Sequence, residues 1–196
     1  MKFRKPICSF ILLLFTFLVL STGRADAQKV AVKTNLLYAA TTSPNLALEF
    51  SLGKKLTLDL ATGGSLWEYK DNAKFTHWLV QPELRYWICE PFNGHFVGLH
   101  GLVSEFNVGG IDVPIAKLSA LKEHRYEGFA YGAGLSYGYH WILSPRWNLQ
   151  LSLGAGYAYV PYTKFDCIKC GKKLEQSNYN YWGVTKASIS LVYVLK

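Results

Sequence analysis

The chain has 196 residues with a formal charge of +8; 50% are hydrophobic, 15% aromatic and 17% charged. The basic excess is mild and no Lys/Arg cluster accompanies a recognition module, so no nucleic-acid partner is expected.

The N-terminus reads as a targeting segment. Lys2, Arg4 and Lys5 precede an apolar run from Ile7 to Leu20, and small residues (Ala25 to Ala27) precede Gln28. Residues 1–27 are therefore expected to be a cleaved secretory signal peptide. The run is shorter than the roughly 20 residues of a spanning helix, and no later segment is a continuous apolar helix of that length. Cys8 lies at the front of the apolar run, which does not fit a lipid-modified N-terminal cysteine. Residues 28–196 would form one domain, its charge reduced to about +5 by loss of Lys2, Arg4, Lys5, Arg24 and Asp26.

From there apolar residues recur at every second position, the period of an extended strand. Eight alternating segments follow in order: 30–38, 44–52, 55–62, 77–88, 95–104, 126–141, 146–159 and 181–195. Helical spacing appears only in a short stretch, 114–124, inside a loop. The links alternate between short ("GKK", "CEPFNG", "LSPR") and long (63–76, 105–125, 160–180), except that the first outer link, "AATTS", is short. Tight turns on one end and long loops on the other are the habit of transmembrane barrels. The expected fold is an all-β, eight-stranded antiparallel up-and-down transmembrane β-barrel.

The faces agree. Phe129, Tyr131, Ala133, Leu135, Tyr137, Tyr139 and Trp141 share one parity; Gly128, Ala130, Gly132, Gly134, Ser136, Gly138 and His140 share the other. A bulky apolar face suits lipid, and a small or polar one suits the narrow interior of eight strands. On the apolar parity, Tyr38, Trp78, Tyr157, Tyr159 and Tyr181 fall at loop ends, and Tyr86, Tyr139, Trp141, Trp147 and Tyr193 at turn ends, as two aromatic girdles. Pro82 conflicts with a closed sheet, because it has no N–H to donate, so a bulge or local break is expected there.

On this reading the inward parity carries Lys33, Asn35, Glu49, Asp59, Glu83, Arg85, His100 and Lys186. Buried charges persist only when paired, so a network of carboxylates with Lys33, Arg85 and Lys186 is expected to fill the lower lumen. Its simplest role is structural. "CIKCG" offers Cys167 and Cys170, either a local disulfide or thiol pair in an outer loop or half of a zinc site whose second half is missing. His77 and His124 are placed in the other long loops, and Cys89 at the opposite end. No GxSxG elbow, HExxH or phosphate loop is present. Ser136 and His140 share the inward parity, which argues against their use on membrane lipid. No catalytic activity and no cofactor are expected.

"KTNLLYAATTSPNLALEFSLGKKLTLDL", "HWLVQPELRYWICEPFNGHFVGLHG", "YGAGLSYGYHWILSPRWNLQLSLGAGYAY" and "YWGVTKASISLVYVLK", together with the CxxCG loop, resemble outer-membrane proteins of Bacteroides-type bacteria grouped as domain of unknown function 3575. The resemblance implies a barrel in the cell outer membrane, with outer-membrane lipids as surroundings and a link to fimbriae or other surface proteins through gene neighbourhood. It supplies no catalytic residues. A surface structural or interaction role is expected, with a small-barrel enzyme acting on lipid or lipopolysaccharide as the alternative.

Overall fold

The computed structural model describes residues 29–68, 74–109, 124–166 and 173–195. Eight strands, each antiparallel to the next, close into one barrel in chain order. They are β1 (Val30–Asn35), β2 (Asn45–Ser51), β3 (Leu56–Glu68), β4 (Lys74–Trp87), β5 (Gly94–Gly109), β6 (Arg125–Ile142), β7 (Trp147–Phe165) and β8 (Lys173–Leu195). Closure comes from β1 pairing with β8, from Val30↔Leu195 to Asn35↔Ser190. All edges low in the barrel are thereby used.

The strands are staggered. Following direct partners from Ala31 leads through Glu49, Asp59, Glu83, His100, Gly134 and Gly156 to Gly183. Ala31 itself pairs with Val194, eleven residues further along β8. A closed sheet needs such a shear, because its strands tilt against the axis. The wall is also stepped, from 6 residues in β1 to 23 in β8. Above Ser190 the β1-side edge of β8 has no strand partner among the described residues.

β1 is shorter than its sequence pattern suggests. Asn35 ends the strand and caps a five-residue helix, α1 (Leu36–Ala40), its side chain accepting from the Leu37 N–H at 3.1 Å. An Asn at that position satisfies a free helix N–H and so competes with continued pairing. Tyr38, expected on the apolar outer face, instead sits on α1 over Gly63 and lines the lumen. In contrast, β3, β5, β7 and β8 run five to eight residues beyond their apolar alternation, so much of what reads as loop is paired strand. His77, the first residue of the alternating segment 77–88 and also placed with the long loop before it, belongs to β4. The possible helix at 114–124 lies almost wholly outside the described residues.

Pro82 produces a break without a bulge. The β4–β5 ladder skips Gln81 and Pro82 and resumes at Glu83↔His100 in the same register, while Pro82 keeps its place opposite Leu60. Register shifts lie elsewhere, on the β7–β8 ladder: one between Lys164 and Phe165, near the loop end, and one, a bulge, between Gly154 and Ala155, where β8 carries the extra residue Thr185. An extra residue flips the parity above it. Lys186, Ser188, Ser190 and Val192 point inward below the bulge, while Trp182 and Val184 face outward above it, 76% and 54% exposed. Tyr181, expected in the outer girdle, is turned away, and its hydroxyl donates to the Val184 carbonyl at 3.2 Å.

The outer face is an apolar belt. Leu60, Leu84, Leu99, Leu135 and Leu153 stand exposed around its middle. Tyr86, Tyr137, Trp141 and Trp147 lie toward the turns, and Trp78, Tyr131, Tyr159 and Trp182 toward the loops. The inner face is the buried one, and its largest buried side chains include Arg85, Glu49, Glu83, Asp59 and Gln150. This inverts the usual globular distribution. Among the described residues, no helix is long and apolar enough to cross a membrane.

Candidate functional site

Glu49, Asp59, Glu83 and His100 are consecutive cross-strand partners on the inner face. Three carboxylates in direct succession repel one another, so the row requires cations between them. Arg85, two residues along β4 from Glu83, supplies the centre. Its Nε donates to Glu83 Oε2 at 2.6 Å, one terminal nitrogen to Glu49 Oε2 at 2.8 Å, and the other to Asp59 Oδ2 at 2.6 Å. Gln150 Oε1 accepts a further bond at 3.0 Å, and the guanidinium lies 4.6 Å from the Phe96 ring centroid. A planar fork of five donors suits this arrangement, which a lysine could not reproduce.

Two lysines complete the layer. Lys33 Nζ lies 2.6 Å from Glu49 Oε2 and 2.8 Å from Asp59 Oδ1. Lys186 Nζ lies 2.9 Å from Glu83 Oε2. Three cations thus face three carboxylates, and all six residues are at most 7% exposed. Thr57 donates to Glu49 and Ser136 to Glu83. Gly98 leaves the space that Glu83 and Ser136 occupy, since a Cβ there would strike both. Of the residues singled out from the sequence, Lys33, Glu49, Asp59, Glu83, Arg85 and Lys186 converge. His100 stands beside the network and bonds Thr185 Oγ1 at 2.8 Å, and Asn35 serves α1.

Beneath the charges lies an aromatic plug. Trp87 packs on Phe96, Phe92 and His140 with ring centroids 4.9, 5.9 and 5.6 Å away. Its indole N–H donates to Thr57 Oγ1 at 2.9 Å, tying the plug to the network. Phe92 enters from the β4–β5 turn with φ 65°, an unusual backbone for a bulky residue, and is only 3% exposed. Of these rings only His140 was placed on the inward face from the sequence. Trp87 shares the parity of Arg85, and Phe96 that of His100, so the signal was there to be read. Phe92 lies in a turn and had none.

Above the charges is a cavity of about 60 Å³ bordered by Asn35, Tyr38, Asn45, Gln81, Lys186 and Ser188. That is room for a few waters and far below the size of an organic-ligand pocket. Tyr38 closes one side, its hydroxyl 2.7 Å from His77 Nε2. Ser136 and His140 are both buried in the lumen, Ser136 on Glu83 and His140 against Trp87. Cys89 is exposed and unbridged at the turn end, while Cys167 and Cys170 lie outside the described residues.

The molecule is thus a closed eight-stranded barrel with an apolar exterior and an interior filled by paired charge. A family model described as "Protein of unknown function (DUF3575)" matches residues 10–195, so the chain belongs to that family. Comparison with curated proteins gives no match, and comparison with solved structures gives none either.

Proposed function

We propose that this protein is a non-catalytic barrel of the bacterial outer membrane that serves as a surface structural or interaction element. The observation that carries the reading is the continuous belt of exposed Leu, Val, Trp and Tyr around the barrel, a surface too apolar for water and well matched to hydrocarbon. The filled lumen supports a role other than conduction: six paired charges and four packed rings occupy the path. Binding then falls to the parts that rise above the belt, chiefly upper β7 and β8. The fimbrial connection is drawn from the family resemblance alone.

Capture from detergent-solubilised cells tests the interaction. A tagged protein is expected to retain a fimbrial or other surface protein, and recovery of the barrel alone would contradict this. The alternative, an enzyme acting on lipopolysaccharide, predicts altered lipid A mass spectra in a deletion strain. Unchanged spectra are expected.

A further inference from the structure

Among the described side chains, the two ends of the barrel carry different charge. Around the turn end stand the cations Lys29, Lys54, Lys55 and Arg146 and, among the described residues, one carboxylate, Glu90, which accepts from Asn93 at 3.2 Å. Toward the loop end, described side chains Arg125, Lys164 and Lys173 are matched by Glu105, Glu127, Asp166 and Glu175. None of the four turn-end cations is ion-paired among the described residues. They form an arc, since the Lys29 carbonyl accepts from Ser51 N–H at 3.0 Å and the Arg146 carbonyl from Val194 N–H at 2.9 Å. This joins the starts of β1 and β7 to the ends of β2 and β8.

Two of the cations, Lys55 and Arg146, are fastened to the lower edge of the apolar belt. Lys55 Nζ lies 5.8 Å from the Tyr86 ring centroid and donates to the Ile88 carbonyl at 3.0 Å. Arg146 donates to the Tyr193 hydroxyl at 3.1 Å, and Tyr193 packs on Trp147 at 4.9 Å. Leu52 and Leu143 in the same turns, and Ile88 in the β4–β5 turn that Lys55 reaches, are more than half exposed, at 55%, 63% and 52%. Aromatic rings mark the headgroup level of a bilayer, so cations beside them meet phosphate while these apolar side chains reach acyl chain. A soluble anion would need the charge gathered across the barrel's lower opening, and it is instead spread along the rim.

We propose that this rim binds the phosphate headgroups of anionic phospholipids in the membrane leaflet at the turn end. The inference rests on the membrane reading above. To test it, the folded protein is placed in nanodiscs of equal phosphatidylglycerol and phosphatidylethanolamine, and the lipids retained after stripping are counted by native mass spectrometry. Phosphatidylglycerol should be enriched, on the order of fivefold for each cation engaged. The Lys54→Gln/Lys55→Gln/Arg146→Gln variant should lose that enrichment, and Lys164→Gln/Lys173→Gln at the loop end should keep it. Lys54→Gln alone, at a side chain with no hydrogen bond among the described residues, should show a partial loss while the protein folds as the parent does. Equal retention of both lipids by the parent protein, or enrichment unchanged in the triple variant, would overturn the proposal and leave the membrane reading standing. Failure of the parent protein to enter the nanodisc would overturn both.

Discussion

The lower lumen and the turn-end rim use the same residue types to opposite ends. In the lumen, Lys33, Arg85 and Lys186 are buried and each touches at least one carboxylate. On the rim, Lys29, Lys54, Lys55 and Arg146 are exposed and touch none among the described residues. The difference follows from solvation. A buried charge without a partner costs several kcal/mol, so the lumen tolerates only a balanced set. An exposed charge costs little to leave unpaired, so the rim can keep an excess and present it outward.

The contrast breaks most sharply at Arg85. Arg85→Ala would strand three carboxylates with two lysines and is expected to cost about 3–5 kcal/mol or to prevent folding, read as a fall in the urea midpoint of the detergent-folded barrel. Removing Glu83 with Lys186 distinguishes pairing from packing. Glu83→Gln and Lys186→Met should each destabilise by about 2–3 kcal/mol, and the double variant by less than their sum, because neither partner is then left uncompensated. Gly98→Ala should cost about 1–3 kcal/mol in the same measurement, as its methyl displaces Glu83 and Ser136. Trp87→Phe keeps an aromatic ring but loses the bond to Thr57 and leaves a small void, for about 1–3 kcal/mol. Smallest of all, Lys54→Gln at the rim should stay within about 0.5 kcal/mol.

The lower barrel was legible in the sequence because its two faces differ. Lys33, Glu49, Asp59 and Arg85 interrupt apolar runs at a period of two, and counting from the turns places them in one layer. Higher up the alternation fades, since both faces of β7 and β8 are polar or mixed there. Hydrogen bonding continues regardless, which is why Val160 to Phe165 and Lys173 to Asn180 read as loop yet form strand. Thr185 shows a second limit. One inserted residue reverses the side chains above it as far as the next register shift at Leu174, and nothing in "GVTK" announces the insertion. Tyr38 shows a third, because Asn35 caps a helix with the same side chain that would have suited the lumen.

Both regions depend on the barrel's wall being closed, and the proposed function adds that its apolar face meets lipid. The most direct measurement separates cell fractions and runs the outer-membrane fraction on a gel with and without boiling. A folded band found only in the membrane fraction, shifting in mobility on boiling, is the expected result. A protein released by osmotic shock, with one mobility under both conditions, would contradict the account and turn the aromatic outer face into a buried core.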